Sequence, residues 1–190
     1  MVEEAQIVEG CKRNDQQSKT LLYKEHAALL YGVALRYTQS EEDAQDVLQD
    51  AFLKIFDSME KYDGRGALGA WLTRIVINEA LNFHRKRPKA ILVDYEDYEE
   101  KIADDSIVKS DKLTHEMLLG FIRKLPQEYK EVFNLCIIDG YSYHEAAKKL
   151  KCNEAKCRMW VFRARNILKN KVNLFLEKEN KYKYEYEDIQ

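Results

Sequence analysis

Glycine and proline are scarce in this chain, and long apolar runs are missing. Seven Gly and two Pro among 190 residues provide few turn signals, and the apolar residues recur at helical spacing rather than in alternation. We therefore expect an all-α fold. The N-terminus, Met1-Val2-Glu3-Glu4, lacks a basic region followed by an apolar stretch, and no apolar run has the length of a membrane helix. We expect neither a membrane span nor a secretory signal, and hence a cytoplasmic protein.

The usual sequence signatures of enzymes and metal sites are also missing. The chain has no Gly-rich phosphate loop, no nucleophile elbow and no His-Glu-x-x-His motif. Its cysteines and histidines lack the spacings of a metal site; they are Cys11, Cys136, Cys152, Cys157, His26, His84, His115 and His144. We expect no catalytic residue, no metal and no cofactor, and we interpret Cys152 and Cys157 as small core residues.

The composition nevertheless suits a folded protein with more than one small core. With 45% apolar and 34% charged residues, we expect two helical domains, at residues 1–88 and 113–176. Residues 89–112 should form an acidic linker, since the segment 94–105 holds seven acids and one base. This linker is either a solvated spacer or a mimic of nucleic-acid charge that occupies a basic groove. Residues 177–190 form a charged, tyrosine-rich tail.

An acidic, amphipathic helix is predicted after Ser40, which can cap its first turn. Its apolar residues follow a 3, 4 spacing typical of core; they are Ala44, Val47, Leu48, Ala51, Phe52, Ile55, Phe56 and Met59. Residues 41–63 hold eight acids against two lysines. The opposite, polar face carries Glu42, Asp46, Gln49, Asp50 and Asp57. That face is either an ordinary solvated surface or a surface that binds another protein.

A basic and aromatic helix is predicted to follow a glycine loop at residues 62–67 and to begin near Leu68. One stripe of this helix, with spacings of 3, 4, 4 and 3, carries Trp71, Arg74, Asn78, Asn82 and Arg85. Such side chains stack on bases, bind base edges or neutralise phosphates, which suits opened or single-stranded DNA. The alternative is a core tryptophan followed by a solvated basic helix end at residues 85–87, stabilised by the helix dipole.

The second domain contains a predicted helix-turn-helix. Ser142 and Glu145 match a capping box for a short helix, and a break at residues 151–153 leads to a long helix from Glu154. Residues 148–171 hold nine bases and one acid, although the whole chain has a formal net charge of −2. The side chains expected to face wholly or partly outward are Lys156, Arg158, Met159, Phe162, Arg163 and Arg165. Because arginine reads guanine bidentately and other bases hold phosphates, we favour duplex DNA over a merely solvated basic helix.

Segments in both domains, in this order, resemble the extracytoplasmic-function (ECF) group of bacterial RNA polymerase sigma factors. They are residues 43–52, residues 71–85, Leu125-Pro126, residues 140–147 and Arg163-Ala164-Arg165. The resemblance extends over residues 21–172. It implies a sigma region 2-like helical bundle in the first domain and a sigma region 4-like helix-turn-helix in the second.

The resemblance also implies three binding surfaces. The residues implied to bind polymerase, at the clamp helices of its largest subunit, are Asp43, Asp46, Val47, Gln49, Asp50 and Phe52. Binding of the promoter minus-10 element falls to Arg65, Trp71, Arg74, Asn78, Asn82, Arg85 and Arg87. Binding of the minus-35 element falls to Lys156, Arg158, Met159, Phe162, Arg163 and Arg165. Further implied partners are the polymerase beta flap and an anti-sigma factor, and we expect a monomer when the chain is free.

The chain departs from the pattern of this family at four places. The turn that is usually Gly followed by an aliphatic residue is Lys151-Cys152, and the usual Gly-Thr-Val is Ala155-Lys156-Cys157. Leu68 replaces a frequent phenylalanine, and Asn82 replaces a frequent aspartate.

Two other function classes stay open at this point. A stand-alone transcription regulator would use the helix-turn-helix on operators and the first domain for dimerisation or ligand sensing, but it leaves the stripe from Trp71 unused. An all-α protein-interaction module would use the charges only as solvated faces. Replacement of Arg158 and Arg163 by alanine separates these classes, because only a DNA-binding protein would lose DNA affinity.

Overall fold

A computed structural model describes residues 4–86 and 114–187, with side chains given up to residue 177 except that of residue 115. All regular structure in this part of the chain is helical, which confirms the all-α prediction. The chain divides into two compact units. The predicted acidic linker and Arg87 lie outside the described residues. No helix in the described ranges is both long and apolar enough to cross a membrane.

The first unit is a bundle of four α-helices. They are α1 (Glu4–Lys12), α2 (Gln16–Tyr37), α3 (Glu41–Ser58), which a 3₁₀ turn at Met59–Lys61 follows, and α4 (Leu68–Lys86). The side chains of Asp15 and Ser40 cap α2 and α3, where they accept hydrogen bonds from the backbone nitrogens of Ser18 at 2.8 Å and Asp43 at 3.1 Å. A Cβ at Gly10 would lie 1.9 Å from Ser18 Oγ, so only glycine allows the tight corner between α1 and α2.

The core of this unit lies where α2, α3 and α4 pack pairwise. The apolar stripe predicted for α3 is buried from Ala44 to Met59, apart from Phe56, which is half-buried. Sequence reasoning gave residues 1–18 no role, yet Ile7, Val8 and Cys11 of α1 are buried against this bundle. Helix α1 therefore belongs to the folded unit.

The second unit contains the predicted helix-turn-helix. Its helices are α5 (His115–Arg123), α6 (Gln127–Phe133) with a π-helical turn at Asn134–Ile138, α7 (Tyr143–Leu150) and α8 (Glu154–Glu187). The predicted capping box is present: Ser142 Oγ accepts from Glu145 N at 3.2 Å, and Glu145 Oε2 accepts from Ser142 N at 2.9 Å. The turn passes through Lys151, whose φ of 54° is left-handed.

Helix α8 packs into this unit at least as far as Phe175, which is buried, and the helix continues to Glu187. Leu125, Ala164 and Ile167 form a buried cluster between α6 and α8, against which Tyr129, Phe133 and Leu168 pack. The segment predicted as a charged tail is a direct continuation of α8 as far as Glu187. The sequence offered no glycine or proline to end the helix earlier.

Candidate nucleic-acid and protein interfaces

The outer face of α3 presents an acidic surface with one exposed apolar residue at its C-terminal end. Asp46, Gln49 and Asp50 are exposed, as predicted for a protein-binding face. Leu53 lies one helical turn further along the same face and is 59% exposed. We call these four residues the acidic face. Sequence reasoning missed Leu53, although its position off the 3, 4 core stripe was the available signal.

Three other residues predicted to bind polymerase point into the bundle instead. Val47 and Phe52 are buried core residues, and Asp43 is buried in the first turn, where its backbone nitrogen donates to Ser40 Oγ. The Phe52 ring packs against Tyr23, with centroids 4.7 Å apart. These residues can position the acidic face, but they are not available to touch a partner in this conformation.

The glycine loop before α4 is held in one conformation by its own side chains. Gly64 and Gly66 have φ of 75° and 102°, a region that favours glycine. Tyr62 donates its hydroxyl to Gly66 O at 2.8 Å, and its ring centroid lies 5.3 Å from that of Trp71. Arg65 is 88% exposed and pairs with Asp63 at 3.1 Å. The loop thus lies beside Trp71, with a cation at its tip.

The stripe predicted on α4 exists and mixes accessible with half-buried side chains. Arg74, Asn78 and Arg85 are exposed, whereas Trp71 and Asn82 are half-buried. Arg85 Nη1 donates to Asn82 Oδ1 at 3.1 Å. Together these side chains offer one aromatic ring, two amides and two guanidinium groups along one side of the helix. Such a surface can stack a base, bind base edges and neutralise phosphate, which suits single-stranded DNA.

The packing of α4 explains why this stripe is held in place. Its opposite side buries Leu68, Leu72, Val76, Ile77, Ala80 and Leu81 in the core. At its C-terminal end, His84 Nε2 lies 2.8 Å from Tyr37 O at the end of α2. Lys54 of α3 forms an ion pair with Glu79 at 3.3 Å. The stripe therefore projects from a rigid helix rather than from a loop.

The first half of α8 has an apolar centre between basic edges. Ala155, Met159 and Phe162 follow helical spacing along one exposed face, where Met159 is 39% and Phe162 is 64% exposed. Arg158 and Arg165 flank one side of this row and Lys156 flanks the other, and all three are exposed. We call this surface the recognition face. Its width and charge suit the major groove of duplex DNA.

Internal contacts fix several of the basic side chains of this unit. Arg158 lies 3.6 Å from Glu154, and its guanidinium carbon is 4.8 Å from the centre of the Tyr143 ring. Lys156 Nζ lies 4.8 Å from the centre of the Trp160 ring. Arg163 is half-buried, which agrees with a side chain that faces partly outward, and its Nη1 donates to Tyr129 Oη at 3.1 Å. Arg163 therefore ties α8 to α6.

Two cysteines meet at the turn of the helix-turn-helix. Cys152 Sγ and Cys157 Sγ lie 3.4 Å apart. Cys157 is fully buried, as predicted for a core residue, whereas Cys152 is only half-buried. Burial and, second, the hydrogen bond with Cys152 raise the pKa of Cys157 to about 12. In residues 4–86 and 114–187, no group of three or more His, Cys, Asp or Glu could hold a metal ion.

Comparison with known proteins gives two family matches, one in each unit. Residues 22–89 match the family model for sigma-70 region 2, and residues 115–168 match the model for sigma-70 region 4. The ECF RNA polymerase sigma-E factor of Haemophilus influenzae is 29% identical over 177 residues, which cover 87% of this chain and 93% of that protein. The sigma-E factor of Escherichia coli K12 is 30% identical over 178 residues, which cover 87% and 92%.

Solved structures agree on the fold. The sigma factor RpoE of Bartonella quintana, in complex with the anti-sigma factor NepR, matches with a TM-score of 0.53 at 22% identity and covers 81% of this chain and 96% of that chain. CnrH in complex with the cytosolic domain of CnrY matches with a TM-score of 0.50 at 22% identity and covers 88% and 96%. At this identity the likeness concerns the fold alone.

Proposed function

The chain belongs to the extracytoplasmic-function group of sigma-70-type RNA polymerase sigma factors. We propose which of its surfaces bind core polymerase, the minus-10 element and the minus-35 element during transcription initiation. As a sigma factor it directs core RNA polymerase to specific promoters and aids DNA opening. The observation that supports this assignment is that α4 and α8, one in each family region, have exposed faces of different chemistry. The first unit then acts as region 2 and the second as region 4.

The acidic face is the docking surface for core polymerase. Asp46, Gln49 and Asp50 complement basic residues of the clamp helices on the largest subunit, and Leu53 adds an apolar contact at the C-terminal end of this face. Protein interfaces combine such apolar contacts with complementary charges. The buried residues Val47 and Phe52 hold α3 in place. The beta flap would contact the second unit.

The stripe on α4 binds the opened minus-10 strand. The glycine loop with Arg65 receives a flipped base next to Trp71, while Trp71, Arg74 and Asn78 hold the opened strand. Stacking on protein contributes about 1 to 3 kcal/mol per base. Unstacking ten steps costs on the order of 14 kcal/mol at about 1.4 kcal/mol each. The free chain therefore binds promoter DNA weakly and with steep salt dependence, and it becomes specific as holoenzyme.

The recognition face of α8 binds the minus-35 duplex. Lys156, Arg158 and Arg165 hold phosphates or base edges, while Met159 and Phe162 lie against the floor of the groove. The chain acts in the cytoplasm, where core polymerase is, as a non-catalytic subunit without a cofactor. An anti-sigma factor is a further partner, in line with the complexes of RpoE with NepR and of CnrH with CnrY. Such a partner would cover the same surfaces.

Co-elution with core polymerase on size exclusion tests this function. The wild-type chain should co-elute with bacterial core enzyme, and the double variant Asp46→Lys/Gln49→Lys should not, because its charges would oppose the basic clamp. Glu60→Lys is the matched control, since Glu60 is an exposed acid outside the acidic face and its reversal should leave co-elution intact. Failure of the folded wild-type chain to co-elute would contradict the proposal and favour a stand-alone regulator.

A further inference from the structure

Two of the places where this chain departs from its family pattern bring two thiols together. Cys152 replaces an aliphatic residue in the turn, and Cys157 replaces a valine in the first part of α8. Their sulfurs are 3.4 Å apart, close to van der Waals contact and without room for another atom between them. Neither the family fold nor DNA binding requires a thiol at either position. The pair is therefore a feature of this chain that the sigma-factor function does not use.

The backbone holds Cys152 in the turn and Cys157 in the first turn of α8. Cys152 N donates to Ala147 O at 3.0 Å and so is tied to the end of α7, while Cys157 N donates to Asn153 O at 3.2 Å within α8. Asn153 Oδ1 accepts from Lys156 N at 2.8 Å and caps α8. A covalent bond between the sulfurs would join the turn of the helix-turn-helix to the first turn of its recognition helix.

The difference in burial determines which of the two cysteines is oxidised first. Cys152 is partly exposed, so a small oxidant can reach its sulfur, whereas Cys157 is fully buried and shielded. We propose that Cys152 and Cys157 form a reversible disulfide when the protein meets a peroxide. This site goes beyond the proposed function, because its formation does not depend on polymerase or promoter binding. In a reducing cytosol such a bond would be transient, as redox-sensing disulfides are.

The reaction balances with hydrogen peroxide as the oxidant. The Cys152 thiolate attacks one peroxide oxygen, the O–O bond breaks, and a sulfenic acid forms while the other oxygen leaves as water after protonation. The Cys157 sulfur then attacks the Cys152 sulfur, the S–O bond breaks, and hydroxide leaves with the Cys157 proton as a second water. Two thiols lose two electrons and two protons, and the peroxide is reduced to two waters. A small thiol reverses the bond by exchange.

The second step depends on pH through the buried partner. Because burial and the contact with Cys152 raise the pKa of Cys157 to about 12, this residue is a thiol at neutral pH and attacks only through its minor thiolate form. At pH values below the pKa, the thiolate fraction increases roughly tenfold for each unit by which the pH is raised. Disulfide closure after oxidation should therefore accelerate as the pH rises.

Closure of the disulfide should disturb the recognition face. An S–S bond is about 2.05 Å long, so the sulfurs must approach from 3.4 Å by about 1.3 Å. The first turn of α8, which carries Lys156, is then displaced relative to α7. Contacts with the minus-35 duplex require that turn in its present place, so the oxidised chain should lose upstream DNA affinity.

Peptide mapping of the full-length chain tests the bond directly. The reduced chain is treated with hydrogen peroxide, its remaining thiols are alkylated, and the product is digested with trypsin without reduction. Trypsin cuts after Lys151, Lys156 and Arg158, so residues 152–156 and 157–158 separate unless a disulfide joins them. We expect the joined pair with two hydrogens fewer than the sum of its thiol peptides, and we expect dithiothreitol to separate it.

Matched variants distinguish this pair from the other thiols. Cys152→Ser and Cys157→Ala should each abolish the joined peptide, while Cys136→Ser, which changes another thiol of the same unit, should retain it. Recovery of both wild-type peptides separately, as alkylated thiols or as sulfinic acids, would overturn the proposal. So would a joined peptide that contains Cys136. Because Cys152 is only partly buried, we expect the Cys152→Ser variant to fold. Circular dichroism verifies its folding independently of the peptide map.

A transcription assay tests the consequence for the recognition face. The chain alone is oxidised, freed of peroxide and then mixed with core polymerase, so that the core enzyme is never exposed to oxidant. We expect transcription from promoters with a minus-35 element to fall at least fivefold and to recover after dithiothreitol. The Cys152→Ser variant treated in parallel should be unaffected. Equal activity of the disulfide-bonded and reduced chains would overturn the effect on DNA, whereas a sigma factor inactive even when reduced would instead contradict the proposed function.

Discussion

The two helices proposed to bind DNA, α4 and α8, place polar and apolar groups in opposite arrangements. On α4 the exposed line of Arg74, Asn78 and Arg85 is polar, and its aromatic ring, Trp71, is half-buried at one end. On α8 the exposed centre is apolar, with Met159 and Phe162 between basic edges. A separated strand presents base edges and phosphates together, whereas a duplex presents a groove floor between two phosphate walls. Each arrangement therefore fits a different form of DNA.

The segments that precede these two helices also differ: one is an open loop and the other is a packed turn. Helix α4 follows a loop whose left-handed glycines, Gly64 and Gly66, leave open space around their Cα atoms, so a base has room to enter. Helix α8 follows a capped helix and a turn filled by side chains, including the contact between Cys152 and Cys157. An open loop suits the capture of a flipped base, and a packed turn suits docking onto a preformed groove.

The largest expected effect comes from removal of the polar stripe of α4. The double variant Arg74→Ala/Asn78→Ala should reduce transcription from duplex promoters by roughly tenfold or more, because each hydrogen bond lost to the opened strand is worth about 0.5 to 3 kcal/mol, most where the arginine meets a phosphate. On a template already mismatched across the minus-10 element, the defect should shrink, because DNA opening no longer limits the rate. Single-round transcription on the two templates measures the difference.

Lys24→Ala is the control for this experiment, because Lys24 is an exposed cation on α2, outside the stripe. This substitution should leave transcription from both templates unchanged. An equal defect of the α4 variant on duplex and mismatched templates would mean that the stripe serves something other than strand capture, and the contrast between the two helices would fail.

A smaller effect should separate two arginines on α8 that the sequence treated alike. Arg165 is exposed on the edge of the recognition face, so Arg165→Ala should weaken holoenzyme binding to upstream duplex DNA about fivefold at moderate salt. The slope of log K against log salt should fall by about one, because one phosphate contact is lost. Fluorescence anisotropy across a salt series measures both quantities. An unchanged slope would remove Arg165 from the interface.

Arg163→Ala should act on stability instead. Its hydrogen bond to Tyr129 Oη links α8 to α6, so loss of the side chain should reduce the free energy of unfolding by about 1 kcal/mol. Tyr129→Phe should reproduce part of that loss without any change in charge. Urea titrations of both variants measure the effect. If Arg163→Ala changed the salt slope and left stability intact, Arg163 would belong to the recognition face after all.

Sequence reasoning succeeded where the determinants are local. The capping box of Ser142 and Glu145 and the core stripe of α3 follow from spacing alone, because helix geometry fixes which residues share a face. The residue motifs within the acidic helix, the basic helix and the helix-turn-helix, in that order, carry the resemblance to the family. These features need no knowledge of the tertiary structure.

Sequence reasoning failed where a residue depends on distant partners. Nothing near Arg163 indicates that Tyr129, on another helix, accepts its hydrogen bond. Tyr62 was read only as part of a loop, yet it pins Gly66 and packs on Trp71. The sequence of α1 indicates no role for this helix, because its short apolar pattern becomes core only against the rest of the bundle. Which acidic-helix residues are accessible likewise depends on packing.

The smallest expected effect concerns the apolar centre of the recognition face. Phe162 has no hydrogen-bonding group, and Met159 has only a weak acceptor, so neither reads a base edge through strong hydrogen bonds. The thymine methyl is the apolar group that the major-groove floor offers. Burial of one methyl is worth about 0.8 kcal/mol, or roughly fourfold in affinity. Replacement of a contacted thymine by deoxyuridine should therefore weaken binding by about that factor.

The holoenzyme first selects an upstream element from a randomised promoter library. Binding is then measured with thymine and with deoxyuridine at each thymine position of that element. The wild-type chain should show methyl sensitivity at one or more positions, and Phe162→Ala should remove it at the position next to that ring. Arg165→Ala should keep the sensitivity while it lowers affinity throughout. If wild-type binding ignored the methyl at every position, the exposed ring would have to serve a protein contact, and the apolar centre of α8 would cease to be a device for reading duplex DNA.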